Sequence, residues 1–88
     1  MDKDLVYLHL QRIMIDHSNN FKLLKTRANG ILGWLGIPKE FRNNTLKILE
    51  EKKLIKELDR YKIQMINTEK SNEIDKKLNK LLWEGFLE

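Results

Sequence analysis

From the start of the chain, hydrophobic positions first recur at helical spacing. Val6, Leu10, Ile13 and His17 fall at i, i+4, i+7 and i+11, with Leu5 and Leu8 widening the stripe. This pattern predicts an amphipathic helix over about residues 3–17 with Asp2 as its N-cap. The polar cluster Ser18-Asn19-Asn20 ends it. Phe21-Lys22-Leu23-Leu24 is too short to classify by period, so a small strand and the lead into the next helix both stay open. Thr26 is placed to cap a second helix whose apolar face is Ile31, Leu32, Trp34 and Leu35. Gly36 stands where helices commonly end in a left-handed residue. Gly30 and Gly33 lie inside this helix, each costing about 1 kcal/mol against alanine. Close approach of another helix over a side-chain-free surface is the expected offset; the alternative is an irregular helix.

Gly36-Ile37-Pro38 then reads as a tight turn leading into a third helix over about 39–53. Phe41, Thr45, Ile48 and Leu49 define its expected inward side, with Leu46 adjacent, and Lys39, Glu40, Asn43, Asn44 and Lys47 its outward side. Leu54–Leu58 and Tyr61–Ile66 are short segments separated by Asp59-Arg60, and the second alternates Tyr61, Ile63 and Met65 against Lys62, Gln64 and Ile66. Together they predict a β-hairpin, although Asp-Arg is a weaker turn signal than Asn-Gly. Thr68 or Ser71 opens a fourth helix over about 69–84, with a stripe of Ile74, Leu78, Leu81 and Leu82 extended by Trp83 and Phe86, and Gly85 at its end.

Composition narrows what such a chain can do. Its 88 residues, 41% hydrophobic and 34% charged, suit one small domain over 1–88, without room for an interior active-site cavity. The absence of cysteine excludes a disulfide framework, a thiolate zinc site, an iron–sulfur centre and a cysteine nucleophile. His9 and His17 would lie roughly 80° apart around a helix, a poor start for a metal site. There is no Gly-x-Ser-x-Gly, no His-Glu-x-x-His and no phosphate-binding glycine loop, and the period-three glycines 30, 33 and 36 do not match a nucleotide fingerprint. The expectation is a protein that is not an enzyme and has no cofactor or metal, and no small-molecule ligand is inferred. No apolar run approaches the ~18–20 residues that span a bilayer, and the alternating charges of residues 1–7 are unlike a signal peptide. A soluble, cytoplasmic protein without a membrane partner is therefore expected.

The net charge of +4 is unevenly placed: residues 17–39 carry Lys22, Lys25, Arg27 and Lys39 with no acid, whereas 1–16 and 68–88 are each −1. A basic block between weakly acidic ends suits a protein that meets phosphate along one face.

The order helix, short segment, helix, tight turn, helix, hairpin, helix is that of a winged helix-turn-helix domain. Leu35-Gly36-Ile37-Pro38, followed after seven residues by Leu46-Lys47-Ile48-Leu49-Glu50-Glu51-Lys52-Lys53-Leu54-Ile55-Lys56, resembles the turn, recognition helix and first wing strand of winged-helix transcriptional regulators of the MarR and ArsR kind. The resemblance covers about residues 22–66. Lys53 departs from it, standing where that family usually has a glycine at the helix exit.

The resemblance implies a mainly α fold with a small hairpin: a helix-turn-helix plus wing over 21–67, flanked by helices over 1–18 and 68–88. It also implies a sequence-specific, double-stranded-DNA-binding transcriptional regulator, cytoplasmic and nucleoid-associated, with the helix from Lys39 in the major groove. Asn43 and Asn44 suit adenine; Lys39, Arg42 and Lys47 reach guanine or phosphate, with Glu40 on the same face, although Arg42 points partly inward by analogy. Lys25, Thr26 and Arg27 lie near a phosphate at the start of the preceding helix, and Arg60 and Lys62 bring the wing to the flanking backbone. Leu5 and Leu8, with Ile74, Leu78, Leu81, Leu82 and Phe86, are the expected homodimer interface. The alternatives are a winged-helix protein-interaction module or accessory subunit of a nucleic-acid machine, and an RNA-binding winged domain, which would lack an exposed aromatic pair for stacking bases.

Overall fold

A computed structural model describes the backbone of residues 3–87 and the side chains of residues 4–77 and of Lys80. The elements follow in the order α1 (Lys3–Asp16), β1 (Lys22–Leu24), α2 (Lys25–Trp34), α3 (Lys39–Glu51), β2 (Ile55–Glu57), β3 (Lys62–Met65) and α4 (Thr68–Leu87). The strands form one antiparallel sheet in the order β1-β3-β2. Leu23 faces Ile63, and Ile55 faces Met65. Alternation puts Leu23, Ile63 and Met65 on the buried side, where they meet Leu10 and Met14 of α1, Ala28, Ile31 and Leu32 of α2, and Leu49 of α3.

The segment after α1 is a strand entered by a tight turn. Asn19 and Lys22 exchange both backbone hydrogen bonds, at 3.1 and 3.0 Å, and the two residues between them, Asn20 and Phe21, have φ of 56° and 63°. Left-handed geometry at both central positions gives the twist that strand pairing favours. The carbonyl of Phe21 accepts from the N–H of Met65 at 2.8 Å, tying the turn to β3.

Two helices end in the same motif. After α2, Gly36 N–H bonds to Gly33 O and Ile37 N–H to Leu32 O; after α3, Lys53 N–H bonds to Glu50 O and Leu54 N–H to Leu49 O. Each places its next residue left-handed, Gly36 at φ 91° and Lys53 at φ 60°. Lys53 thus takes the conformation a glycine would normally supply, and its carbonyl accepts from the Asn67 side-chain amide.

Several expected faces are turned. In α1 the inward side is Leu10, Gln11 and Met14 with Tyr7 and Leu8 half-buried, while Val6 and His17 are exposed. Gln11, polar in sequence, is 0% exposed: its amide donates to Leu54 O at 2.6 Å and to Ile66 O, and its carbonyl accepts from Ser71 Oγ. Buried polar groups are tolerated when every partner is supplied. Trp34 is 78% and Phe41 56% exposed, because both flank the α2–α3 turn beyond the reach of the sheet. Tyr61 is likewise exposed, one residue before β3 begins. Thr26 does not cap α2, which starts at Lys25 directly from the strand with Leu24 at the cap position and no side-chain bond. The fourth helix runs through Gly85 to Leu87 instead of stopping there. The Asp2 cap lies outside the described residues.

α4 packs along α1. Ile74 is buried, and Arg12 reaches Asn72 Oδ1 at 2.8 Å and Asp75 Oδ2 at 2.8 Å. Ile74 and Leu8, both expected at a homodimer interface, are therefore used inside the chain, and Leu5 is half-buried. Leu78, Leu81, Leu82 and Phe86 lie outside the described side chains.

Candidate nucleic-acid interface

α3 is seated by one side and bare on the other. Leu49 is fully buried, with Arg42, Thr45, Leu46 and Ile48 half-buried, whereas Lys39, Glu40, Asn43, Asn44 and Lys47 are all exposed. The exposed five occupy neighbouring positions at i, i+4 and i+8, so they form one stripe along the helix.

Arg42 is the exception among the α3 residues expected to reach DNA. Its Nε donates to Ile37 O at 2.9 Å and Nη1 to Asn29 Oδ1 at 3.3 Å, which folds the guanidinium back over α2. A Cβ on Gly33 would lie 2.7 Å from its Nη2. The glycine at 33 is thus explained by close approach of α3, through one side chain. Gly30 has nothing within 4 Å of the same hypothetical Cβ.

At the α2 start, Thr26 and Arg27 are exposed, and Lys25 Nζ is paired with Glu57 Oε1 of β2 at 2.7 Å. Lys25, Asn43 and Lys47 line one shallow groove of about 310 Å³ between α3 and the sheet, with Leu46, Ile55 and Ile63 and the carboxylates Glu50 and Glu57. Three of the expected residues are therefore brought together, and two acids that the sequence reading did not single out border them. No local spacing marks Glu57 as Lys25's partner, because the pair is formed across the fold by the sheet.

The β2–β3 turn is fixed by Asp59. Its carboxylate accepts from the N–H groups of Tyr61 and Lys62 at 2.7 and 2.9 Å, which strengthens an otherwise weak Asp-Arg turn. Those bonds, the Tyr61 N–H foremost, hold the Asp59 carboxyl below its ordinary value. Arg60 and Lys62 are exposed, and the Arg60 guanidinium sits 5.9 Å from the Tyr61 ring centre.

Among the described residues, no group of three or more His, Cys, Asp or Glu side chains is arranged to hold a metal, and no helix is long and apolar enough to cross a membrane. No protein-family model matches the chain, and neither a curated protein nor a solved structure shows significant similarity to it.

Proposed function

We propose that this chain is a winged helix-turn-helix protein that binds double-stranded DNA sequence-specifically as a transcriptional regulator. Its place would be in the cytoplasm, on the nucleoid. In this reading α2 and α3 are the helix-turn-helix, β2 and β3 the wing, and α3 the helix that enters the major groove. The element order and the three-stranded antiparallel sheet are compatible with that layout.

The observation that carries the proposal is the exposed stripe Lys39, Asn43, Asn44 and Lys47 on a helix whose other side is anchored by Leu49. Asparagine offers a donor and an acceptor in the pairing that adenine presents in the major groove, and lysine reaches guanine or phosphate. Arg27, Arg60 and Lys62 add exposed cations on the neighbouring elements.

Duplex binding titrated against salt tests it. If Lys39, Lys47, Arg27, Arg60 and Lys62 meet phosphates, log K falls against log salt with a slope of roughly −4 to −5. A flat slope, or no duplex binding at low salt, overturns the proposal, and preference for RNA in competition would reassign the face.

A second reading, a protein-interaction module, is favoured by the exposure of Trp34 and Phe41 beside the α2–α3 turn. It predicts partner binding that is insensitive to substitution of Asn43 and Asn44.

A further inference from the structure

The fold turns two aromatic rings out to solvent and sets them at opposite ends of one helix. Among the described residues, Trp34 at 78% and Tyr61 at 66% are the most exposed large apolar side chains. Tyr61 is tied to the start of α2, where the Lys25 N–H donates to the Tyr61 carbonyl at 2.8 Å, and Trp34 is the last residue of that helix. At 1.5 Å per residue the two ends of α2 lie about 13.5 Å apart, the length of roughly four stacked nucleotides at ~3.4 Å each.

Each ring has a cation beside it. The Arg60 guanidinium sits 5.9 Å from the Tyr61 ring centre. Trp34 walls a groove of about 300 Å³ on the outer side of α2, lined also by His17, Arg27, Gly30 and Ile31. Gly30 opens this groove: a Cβ there would meet nothing within 4 Å, so the space between Arg27 and Trp34, on one stripe of the helix, admits a planar ring. No acid lines the groove, and residues 17–39 contain none. Exposed π faces set among cations, with acids kept away, are the chemistry that holds bases joined by phosphates. The groove offers no amide or hydroxyl side chain to a ribose 2′-hydroxyl.

We propose that α2 carries a short stretch of single-stranded DNA, with one unpaired base in the Trp34 groove, another on the Tyr61 ring, and the phosphates between them on Arg27, Arg60 and Lys62. This occupant rests on the proposed function in one respect: the three cations keep the phosphate-binding role given them there, and the strand they hold is therefore DNA. What is new is that the strand is unpaired where it passes the two aromatic rings. Every base has a π face, so this surface takes any sequence, unlike the asparagines of the α3 stripe.

Fluorescence anisotropy with the full chain at low salt tests it, using a labelled oligothymidylate of about 12 nucleotides, an abasic strand of the same length and a blunt duplex. The oligothymidylate should bind about tenfold or more tighter than the abasic strand, although both carry the same phosphates. Trp34→Ala and Tyr61→Ala should each weaken the oligothymidylate about tenfold and leave the abasic strand as it was, with Trp34→Phe restoring most of the affinity. Gly30→Leu, which fills the groove and gains helix propensity, should act like Trp34→Ala. All these positions are exposed, and circular dichroism verifies that each variant keeps the fold. The proposal is overturned if the oligothymidylate binds no better than the abasic strand, if Trp34→Ala and Gly30→Leu leave it unchanged, or if oligouridylate binds tighter. Failure of the duplex alone, with oligothymidylate binding still dependent on Trp34, overturns the regulator reading and upholds the single-strand site.

Discussion

The guanidinium of Arg42 occupies the space where Gly33 lacks a side chain. This contact locks the crossing of α3 over α2 and sets how far the α3 stripe stands from the rest of the fold. Gly33→Ala recovers about 1 kcal/mol of helix propensity but displaces a charged donor from Ile37 O and Asn29 Oδ1, a loss of about 1.5–3 kcal/mol. The variant should therefore be destabilised by about 1 kcal/mol. Gly30→Ala, three residues earlier with no neighbour, should gain up to about 1 kcal/mol. Urea denaturation of both variants checks the opposite signs, and stabilisation by Gly33→Ala would show that the Arg42 contact contributes nothing.

Gln11 joins α1 to one end of the β2–β3 pair and to α4. Replacing it with leucine leaves the carbonyl of Ile66 and the hydroxyl of Ser71 without their partner, whereas the carbonyl of Leu54 still accepts from the N–H of Ile66. Orphaned buried polar groups cost about 1–3 kcal/mol each. We expect Gln11→Leu to lose about 2–3 kcal/mol, and Gln11→Leu with Ser71→Ala to lose less than the sum of the two single changes. Additive losses in a double-mutant cycle would mean that the two side chains act separately.

The order of elements was legible because the helices are long enough to show their period and because Gly36-Ile37-Pro38 marks the turn between the second and third. Rotational phase was less legible. Gln11 is absent from the stripe expected of α1, because polarity alone cannot reveal that two carbonyls and a hydroxyl await it inside. Arg42 reads as a cation for DNA that points partly inward by analogy, and the inward part prevails: its aliphatic stem can lie along apolar surface while its head finds the Ile37 carbonyl. Trp34, Phe41 and Tyr61 read as core, but each stands at or near an element's end, where no neighbouring layer covers it. At the candidate site, the α3 stripe followed from spacing, whereas the Lys25–Glu57 pair depends on strand pairing that no local pattern encodes.

Lys53 shows what a missing glycine does. Its left-handed conformation costs an L-residue about 1–2 kcal/mol, against the roughly 0.5–1 kcal/mol that glycine loses in chain entropy on folding. Lys53→Gly should raise stability by about 0.5 kcal/mol, or ~2–4 °C in melting temperature. Lys53→Val should lower it, since a β-branched residue tolerates this backbone least. A melting temperature unchanged in both variants would mean that the helix exit is not strained.

Asp59 makes the wing turn sensitive to acid. Its carboxyl is held below the ordinary value of 3.8 by the Tyr61 N–H and then the Lys62 N–H. A depressed folded-state pKa contributes stability that is present above the unfolded value and lost as pH falls through the folded one. Amide exchange at Tyr61 and Lys62 should therefore be protected at neutral pH and become unprotected only below about pH 3.8, relative to Ile63–Met65 of β3. Asp59→Ala should lose the protection at every pH, and Asp59→Asn, which keeps an acceptor oxygen, should retain it through the acid range.

Glu57 holds Lys25 at the rim of the groove that Asn43 and Lys47 share. A phosphate arriving there must compete with a carboxylate already in place, and the carboxylate itself repels the duplex. The pair is partly exposed, so breaking it should alter fold stability by no more than about 1 kcal/mol. For a DNA-binding face the consequence is larger. Glu57→Gln releases the Lys25 ammonium and removes one negative charge, so duplex affinity at low salt should rise and the salt slope should steepen by about one. Lys25→Ala should reduce that slope only slightly in the wild-type background but by about one beside Glu57→Gln. Asn43→Ala and Asn44→Ala should instead narrow the gap between preferred and unrelated duplexes, leaving the slope alone. If Glu57→Gln leaves affinity for every duplex unchanged across the salt series, Lys25 does not meet phosphate and the contact surface must exclude the α2 start.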